Sequence, residues 1–168
     1  MINKYSCINI YENKKKNSKL SSQILYGEKF TILKRYKDWY KIKTSYDKYI
    51  GFIKKKKFES CVFKPTHKVS SLKAKVFLKP YKTSKVKTKL SFTSLIQVKS
   101  SNNGFFNFDN YWIQKSNVVP LNYKEKIFQR IKIFRNVKYK WGGKKFDGVD
   151  CSGLIQLFYK FNNLYCPR

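Results

Sequence analysis

Histidine is almost absent from this chain: among 168 residues it occurs once, at His67. One imidazole cannot complete a common zinc ligand set. Cysteine is sparse too, at 7, 61, 151 and 166, and no two form a Cys-x-x-Cys pair. Neither a disulfide framework nor a metal site is indicated, and no cofactor is expected. Long apolar runs are missing, so no segment has membrane-spanning length. The opening Met1-Ile2-Asn3-Lys4-Tyr5-Ser6 lacks the apolar core of a secretory leader. A cytoplasmic location is the default expectation, with association to a cell envelope left open.

Acidic residues are few. Nine Asp and Glu face 38 Lys and Arg, giving a formal net charge of +29. A field of that sign suits an anionic partner. Arginine, however, stands only at 35, 130, 135 and 168. Bidentate phosphate clamping and base readout favour arginine over lysine. The lysines are scattered among apolar positions, so no specific nucleic-acid partner is expected. A wall polymer or an acidic lipid would be served equally well. Nothing in the pattern specifies an oligomeric state.

What is present is apolar and aromatic: 42% hydrophobic and 18% Phe, Trp and Tyr, enough for one or two small cores. Residues 1–60 read as short strands. Cys7, Ile8, Ile10 and Tyr11 open the run, and Phe30-Thr31-Ile32-Leu33 follows Tyr26-Gly27-Glu28. Asp38-Trp39-Tyr40-Lys41-Ile42 and Gly51-Phe52-Ile53 come next. Five short strands suggest a small barrel. That order resembles a bacterial SH3-type domain. Residues 70–120 repeat the plan: Leu95 to Val98 matches Phe30 to Leu33, and Phe105-Phe106 matches Trp39-Tyr40. Trp112-Ile113 lies 60 residues after Phe52-Ile53. The stretch 60–69, holding Pro65 and His67, is expected to be a linker with an inert histidine. From Tyr123 to Phe134, apolar residues recur at helical spacing, which predicts a helix.

The chain is organised around Tyr139 to Gly153, a glycine-rich loop running into Asp150-Cys151-Ser152-Gly153. Leu154, Ile155, Phe158 and Tyr159 then predict an amphipathic helix with Asp150 as its N-cap. Cys151 falls in the first turn, where unpaired amides and the helix dipole favour a thiolate. A thiolate attacks carbonyls, and nearby amides could hold the oxyanion. The plainer reading is a small buried side chain.

Tyr139, Trp141-Gly142-Gly143 and Phe146 to Leu154 closely resemble the nucleophile segment of the NlpC/P60 cysteine peptidases. Leu164-Tyr165-Cys166-Pro167-Arg168 resembles the Leu-Pro-Arg that follows it there, with Cys166 where leucine is usual. The resemblance spans 123–168. It implies the helical start of a papain-like α+β domain (121–168), its β-sheet missing, after two SH3-like barrels (1–60 and 70–120). It also implies hydrolysis of bacterial wall peptides at the bond from γ-D-glutamate to a diamino acid. In that frame Cys151 is the nucleophile and Tyr139 lines the cleft and helps the oxyanion. Trp141 is a substrate-binding residue, and Asp150 and Ser152 greet the free amine of a stem peptide. The family's base is a histidine after the nucleophile helix, and no histidine follows Cys151. The 168 residues are therefore expected to be a fragment of a longer reading frame, inactive as they stand, with their C-terminal helices poorly packed. The alternative is a non-catalytic binding protein for wall peptides or polyanions, built on the SH3-type modules and carrying a degenerate peptidase remnant.

Overall fold

The computed structural model describes every residue except Glu59 and Cys61, so that cysteine lies outside the described residues. The fold is mostly β. The first five strands are β1 (Cys7–Tyr11), β2 (Leu20–Leu25), β3 (Phe30–Arg35), β4 (Trp39–Thr44) and β5 (Ile50–Lys54). They form one antiparallel sheet in the order β2-β1-β5-β4-β3. Alternation along β1 and β4 turns Ile8, Ile10, Tyr40 and Ile42 inward, where they meet Ile24, Phe30 and Ile53.

The next strands are β6 (His67–Val69), β7 (Lys73–Phe77), β8 (Val86–Ser91) and β9 (Leu95–Ile96). After them come β10 (Ser100–Asn102), β11 (Phe105–Phe108), β12 (Tyr111–Gln114) and β13 (Val118–Pro120). The second five-stranded sheet runs β8-β7-β12-β11-β10. Its order matches the first sheet strand for strand. Register agrees as well: Tyr11 faces Phe52 as Phe77 faces Trp112, and Tyr40 faces Ile53 as Phe106 faces Ile113. Ala74, Val76, Leu90, Phe108 and Ile113 fill the core here.

Two expectations change. Leu95 to Val98 does not take the place of β3 in the second sheet. The exposed Ser100–Asn102 takes it, while β9 joins a separate sheet ordered β13-β6-β9 and buries Ile96 completely. A break between the two pieces lets the apolar half turn inward and leaves the polar half on an open edge. The expected linker 60–69 ends in a strand: His67 to Val69 pairs with Pro120 to Val118 on one side, and His67 pairs with Ile96 on the other. Burial of Val69 drives that pairing.

The two five-stranded units abut closely. Beside them, Leu95 N–H of β9 donates to the Tyr26 carbonyl at 2.9 Å, so the three-stranded sheet also meets the first unit. At Gly27, with φ +81°, a β-carbon would sit 2.2 Å from the Leu95 carbonyl oxygen, so only glycine fits. Lys4 pairs with Asp109 at 2.5 Å directly between the two five-stranded units.

After β13 the predicted helix over 123–134 is not formed. The segment turns repeatedly and ends in one 3₁₀ turn at Ile131–Phe134. Phe128 has φ +66°, which breaks a helical ladder, and Ile127, Ile131 and Ile133 are β-branched. Packing decides the outcome. The rings of Phe128 and Phe134 lie 5.4 and 5.7 Å from Phe158, on the helix that follows.

The last elements are β14 (Lys144–Lys145), β15 (Gly148–Val149) and α1 (Cys151–Phe161), the sole α-helix among the described residues. The expectation of poorly packed C-terminal helices is corrected for α1. Leu157, Phe158 and Phe161 are fully enclosed with Leu25, Phe92, Phe134 and Val149. Phe92 stacks on Phe161 at 4.7 Å. Residues from both five-stranded units thus supply the apolar cover. At the helix end, Lys68 Nζ donates to the Tyr123 carbonyl at 2.6 Å and to the Phe161 carbonyl, placing a cation at the negative end of the dipole. Burial lowers the pKa of Lys68 to about 8.

Candidate active site

Backbone pairing sets the loop before α1. Val149 N–H donates to the Lys138 carbonyl and Lys140 N–H to the Val149 carbonyl, both at 3.1 Å, so Tyr139 is bracketed beside Val149. Trp141-Gly142-Gly143 then turns the chain, with Gly142 at φ +70° and packed on Leu20 of β2. The two-residue strands β14 and β15 return it to Asp150.

Asp150 caps α1 as expected, and it does more. Its Oδ1 accepts from Gly153 N–H at 2.7 Å and Ser152 Oγ at 3.3 Å. Its Oδ2 accepts from Gly142 N–H at 2.8 Å and Arg168 Nη2 at 2.7 Å. One buried carboxylate thereby fixes the glycine turn, the first helical turn and the tail. Gly153 is required where the turn and helix meet, because a β-carbon would lie 2.5 Å from the Gly143 carbonyl oxygen.

Cys151 and Ser152 are exposed, and Tyr139 and Trp141 are 67% and 64% exposed. The backbone gathers these four residues around the helix start. Asp150 faces inward with all four of its contacts made, so it reaches a ligand only by releasing a donor. Ser152 is the member of that pair open to solvent. The amides of Gly153 and Leu154 are spent on Asp150, while those of Cys151 and Ser152 have no partner among the described residues. A thiol beside two unpaired amides can attack a carbonyl and stabilise the oxygen that becomes negative.

Beneath the loop lies a polar cluster that sequence reasoning missed. Lys144 Nζ pairs with Asp47 Oδ2 at 3.3 Å, with both side chains buried. Gln156 Nε2 donates to the same oxygen at 3.0 Å and to the Cys166 carbonyl at 3.0 Å. Lys144 N–H donates to Gln23 Oε1 at 2.7 Å. Burial opposes ionisation of Asp47, yet Lys144, Thr44 and Gln156 outweigh it and hold its pKa below 3.8. The sequence signal was Gln156, a polar residue on the inward side of an apolar helix. Arg168 carried a signal too, as the last residue of the motif-like tail.

His67 is not part of this site. Its ring packs on Phe106 at 4.8 Å and its Nδ1 lies 3.0 Å from the Thr66 hydroxyl. No cluster of His, Cys, Asp and Glu suited to a metal occurs among the described residues. No helix among them is long and apolar enough to cross a membrane.

Two five-stranded units feeding a glycine turn, an exposed cysteine and a capped helix define a recognisable class. Residues 10–58 match the family model for the bacterial dipeptidyl-peptidase SH3 domain, and residues 136–168 match that for the NlpC/P60 family. These two matches support an NlpC/P60 protein with an N-terminal SH3-type domain. It is similar to a γ-D-glutamyl-L-lysine dipeptidyl-peptidase of Bacillus subtilis, 28% identical across 89% of this chain and 55% of the relative. It thus spans about half the length of that curated relative. A crystal structure of an NlpC/P60 family protein from Bacillus cereus superposes with a TM-score of 0.82. That likeness covers 99% of this chain and 73% of the other at 16% identity, so it speaks to the fold.

Proposed function

We propose that this chain belongs to a cysteine peptidase of bacterial wall peptides, cutting between γ-D-glutamate and a diamino acid, with Cys151 as nucleophile. In this reading both five-stranded units are SH3-like barrels, and residues 121–168 are the helical start of a papain-like domain. The Cys151 thiolate adds to the peptide carbonyl. The amides of Cys151 and Ser152 hold the oxyanion, and Tyr139 assists. The C–N bond breaks, the amine leaves with a proton, and water hydrolyses the thioester. Trp141 and Tyr139 form the cleft wall. Ser152 meets the peptide's free amine, and Asp150 contributes its negative charge and the positioning of both segments.

The observation that carries this reading is the four-donor Asp150, which holds an exposed cysteine at the start of a helix. The hydrolase named for the Bacillus subtilis relative supports it. The reading requires a general base other than His67, whose ring packs on Phe106. The test is release of the diamino acid from a γ-D-glutamyl dipeptide by the native gene product, its Cys151→Ala variant and the 168-residue chain. Turnover by the first alone supports the proposal. Turnover that survives Cys151→Ala, or turnover by the 168-residue chain, would contradict it.

The packing of His67 on Phe106 rather than on any residue of the site favours one second reading, a binding protein for wall peptides. It predicts peptide binding with no turnover by the native product.

A further inference from the structure

A groove of about 860 Å³ opens between the two five-stranded units, away from Cys151. Its floor is apolar, from Val76, Leu90 and Phe108. Its sides carry Lys4, Lys56, Lys87 and Lys99. The one carboxylate lining it, among the described residues, is Asp109. That group already pairs with Lys4 at 2.5 Å and accepts from the Tyr26 hydroxyl. Lys56, Lys87 and Lys99 are exposed and have no carboxylate partner among the described residues.

The groove continues. A second hollow of about 270 Å³ shares Ser6, Cys7 and Lys56 with the first. It adds Lys54, Lys140 and Lys145. Lys140 flanks Tyr139 and Trp141 in sequence, and Lys145 belongs to β14. A track of ammonium groups thus runs from the junction of the two units to the loop that carries Cys151. Lys145 is offset by Asp147 at 2.9 Å, so the junction end holds the stronger unbalanced charge.

We propose that this groove binds a linear phosphodiester polymer of small polyols, one phosphate per ammonium group. Lysine serves as a point charge for phosphate and needs no bidentate geometry. The apolar floor accepts the polymer's CH groups, and the volume suits a few repeat units. A nucleic acid fits less well. Arginine is absent from the lining, and the rings that reach it are already covered. Lys56 lies over Tyr5 at 4.6 Å, Lys4 over Phe63 at 4.4 Å and Lys87 over Tyr111 at 5.9 Å. Bases would find few bare aromatic faces to stack on. A lipid surface meets a concave groove rather than a flat face. The site is independent of the Cys151 chemistry, so a binding test can fail without touching the peptidase reading.

The experiment measures binding of fluorescein-labelled synthetic polyglycerol phosphate to the 168-residue chain at moderate salt. Two triple variants remove equal charge. Lys56→Gln/Lys87→Gln/Lys99→Gln empties the groove. Lys37→Gln/Lys43→Gln/Lys132→Gln neutralises exposed lysines outside its lining. The groove variant should weaken binding by about tenfold or more, and the control by about twofold or less. Equal losses would assign the binding to the general +29 field and overturn the proposal. Tighter groove-dependent binding of a single-stranded oligonucleotide of equal charge, or of anionic vesicles, would overturn it as well.

Discussion

Asp150 and Arg168, 18 positions apart, meet at 2.7 Å with both side chains almost wholly buried. The guanidinium also reaches the Ser21 carbonyl of β2 at 3.4 Å, so it ties the helix start to the first sheet. Arg168→Ala should cost about 2–4 kcal/mol in urea unfolding, because it strands a buried carboxylate. Arg168→Lys should recover part of that loss, since an ammonium cannot span both acceptors as well. Unchanged stability in Arg168→Ala would show that the pair contributes little.

Lys144 and Asp47 should behave as a coupled unit. Each single change, Lys144→Met or Asp47→Asn, is expected to cost about 3 kcal/mol, and the double variant less than the sum. The pH dependence follows from Asp47. Its folded pKa lies below the unfolded value, so its contribution is complete above the ordinary carboxylate range. That contribution is lost as pH falls through the folded value. The stability gap between wild type and Asp47→Asn should therefore hold from neutral pH to about pH 4 and shrink below it. A gap that widens in acid would contradict this sign.

Much of this arrangement was legible in the sequence. Strand alternation around Trp39-Tyr40 and Gly51-Phe52-Ile53 marked β4 and β5, and the 60-residue offset to Trp112-Ile113 anticipated the matching register. The Asp150 cap was readable because capping is local. The segment 123–134 was misread because its periodicity is real while its partner is α1, and packing overrode helix formation. The Asp47–Lys144–Gln156 cluster was invisible because its members come from three distant elements, and charge pattern along the chain carries no trace of such pairing.

Gly142→Ala tests the turn. The position has φ +70°, and an added β-carbon would lie 2.8 Å from Leu20 Cγ. A cost of about 1–3 kcal/mol is expected from backbone strain and contact with β2. Hydrogen exchange should locate the loosening at the loop and the first turn of α1. Wild-type protection there would contradict the account.

Thiol reactivity should divide by burial. Burial pushes the Cys7 thiol up to about 12, while Cys151 is exposed. Iodoacetamide at neutral pH is expected to modify Cys151 in the folded protein and to spare Cys7 until denaturant is added, as read by peptide mass. Labelling of native Cys7 at the rate of Cys151 would contradict the packing of β1.

The central proposal, that Cys151 is the nucleophile toward a γ-D-glutamyl peptide, is tested most directly by affinity alkylation. A chloromethyl ketone built on L-alanyl-γ-D-glutamate and its α-L-glutamyl isomer should be compared on the folded chain. The account predicts faster modification by the γ-D reagent, confined to Cys151 and slowed by Ser152→Ala. Equal rates for the two isomers, or modification favouring Cys166, would contradict it.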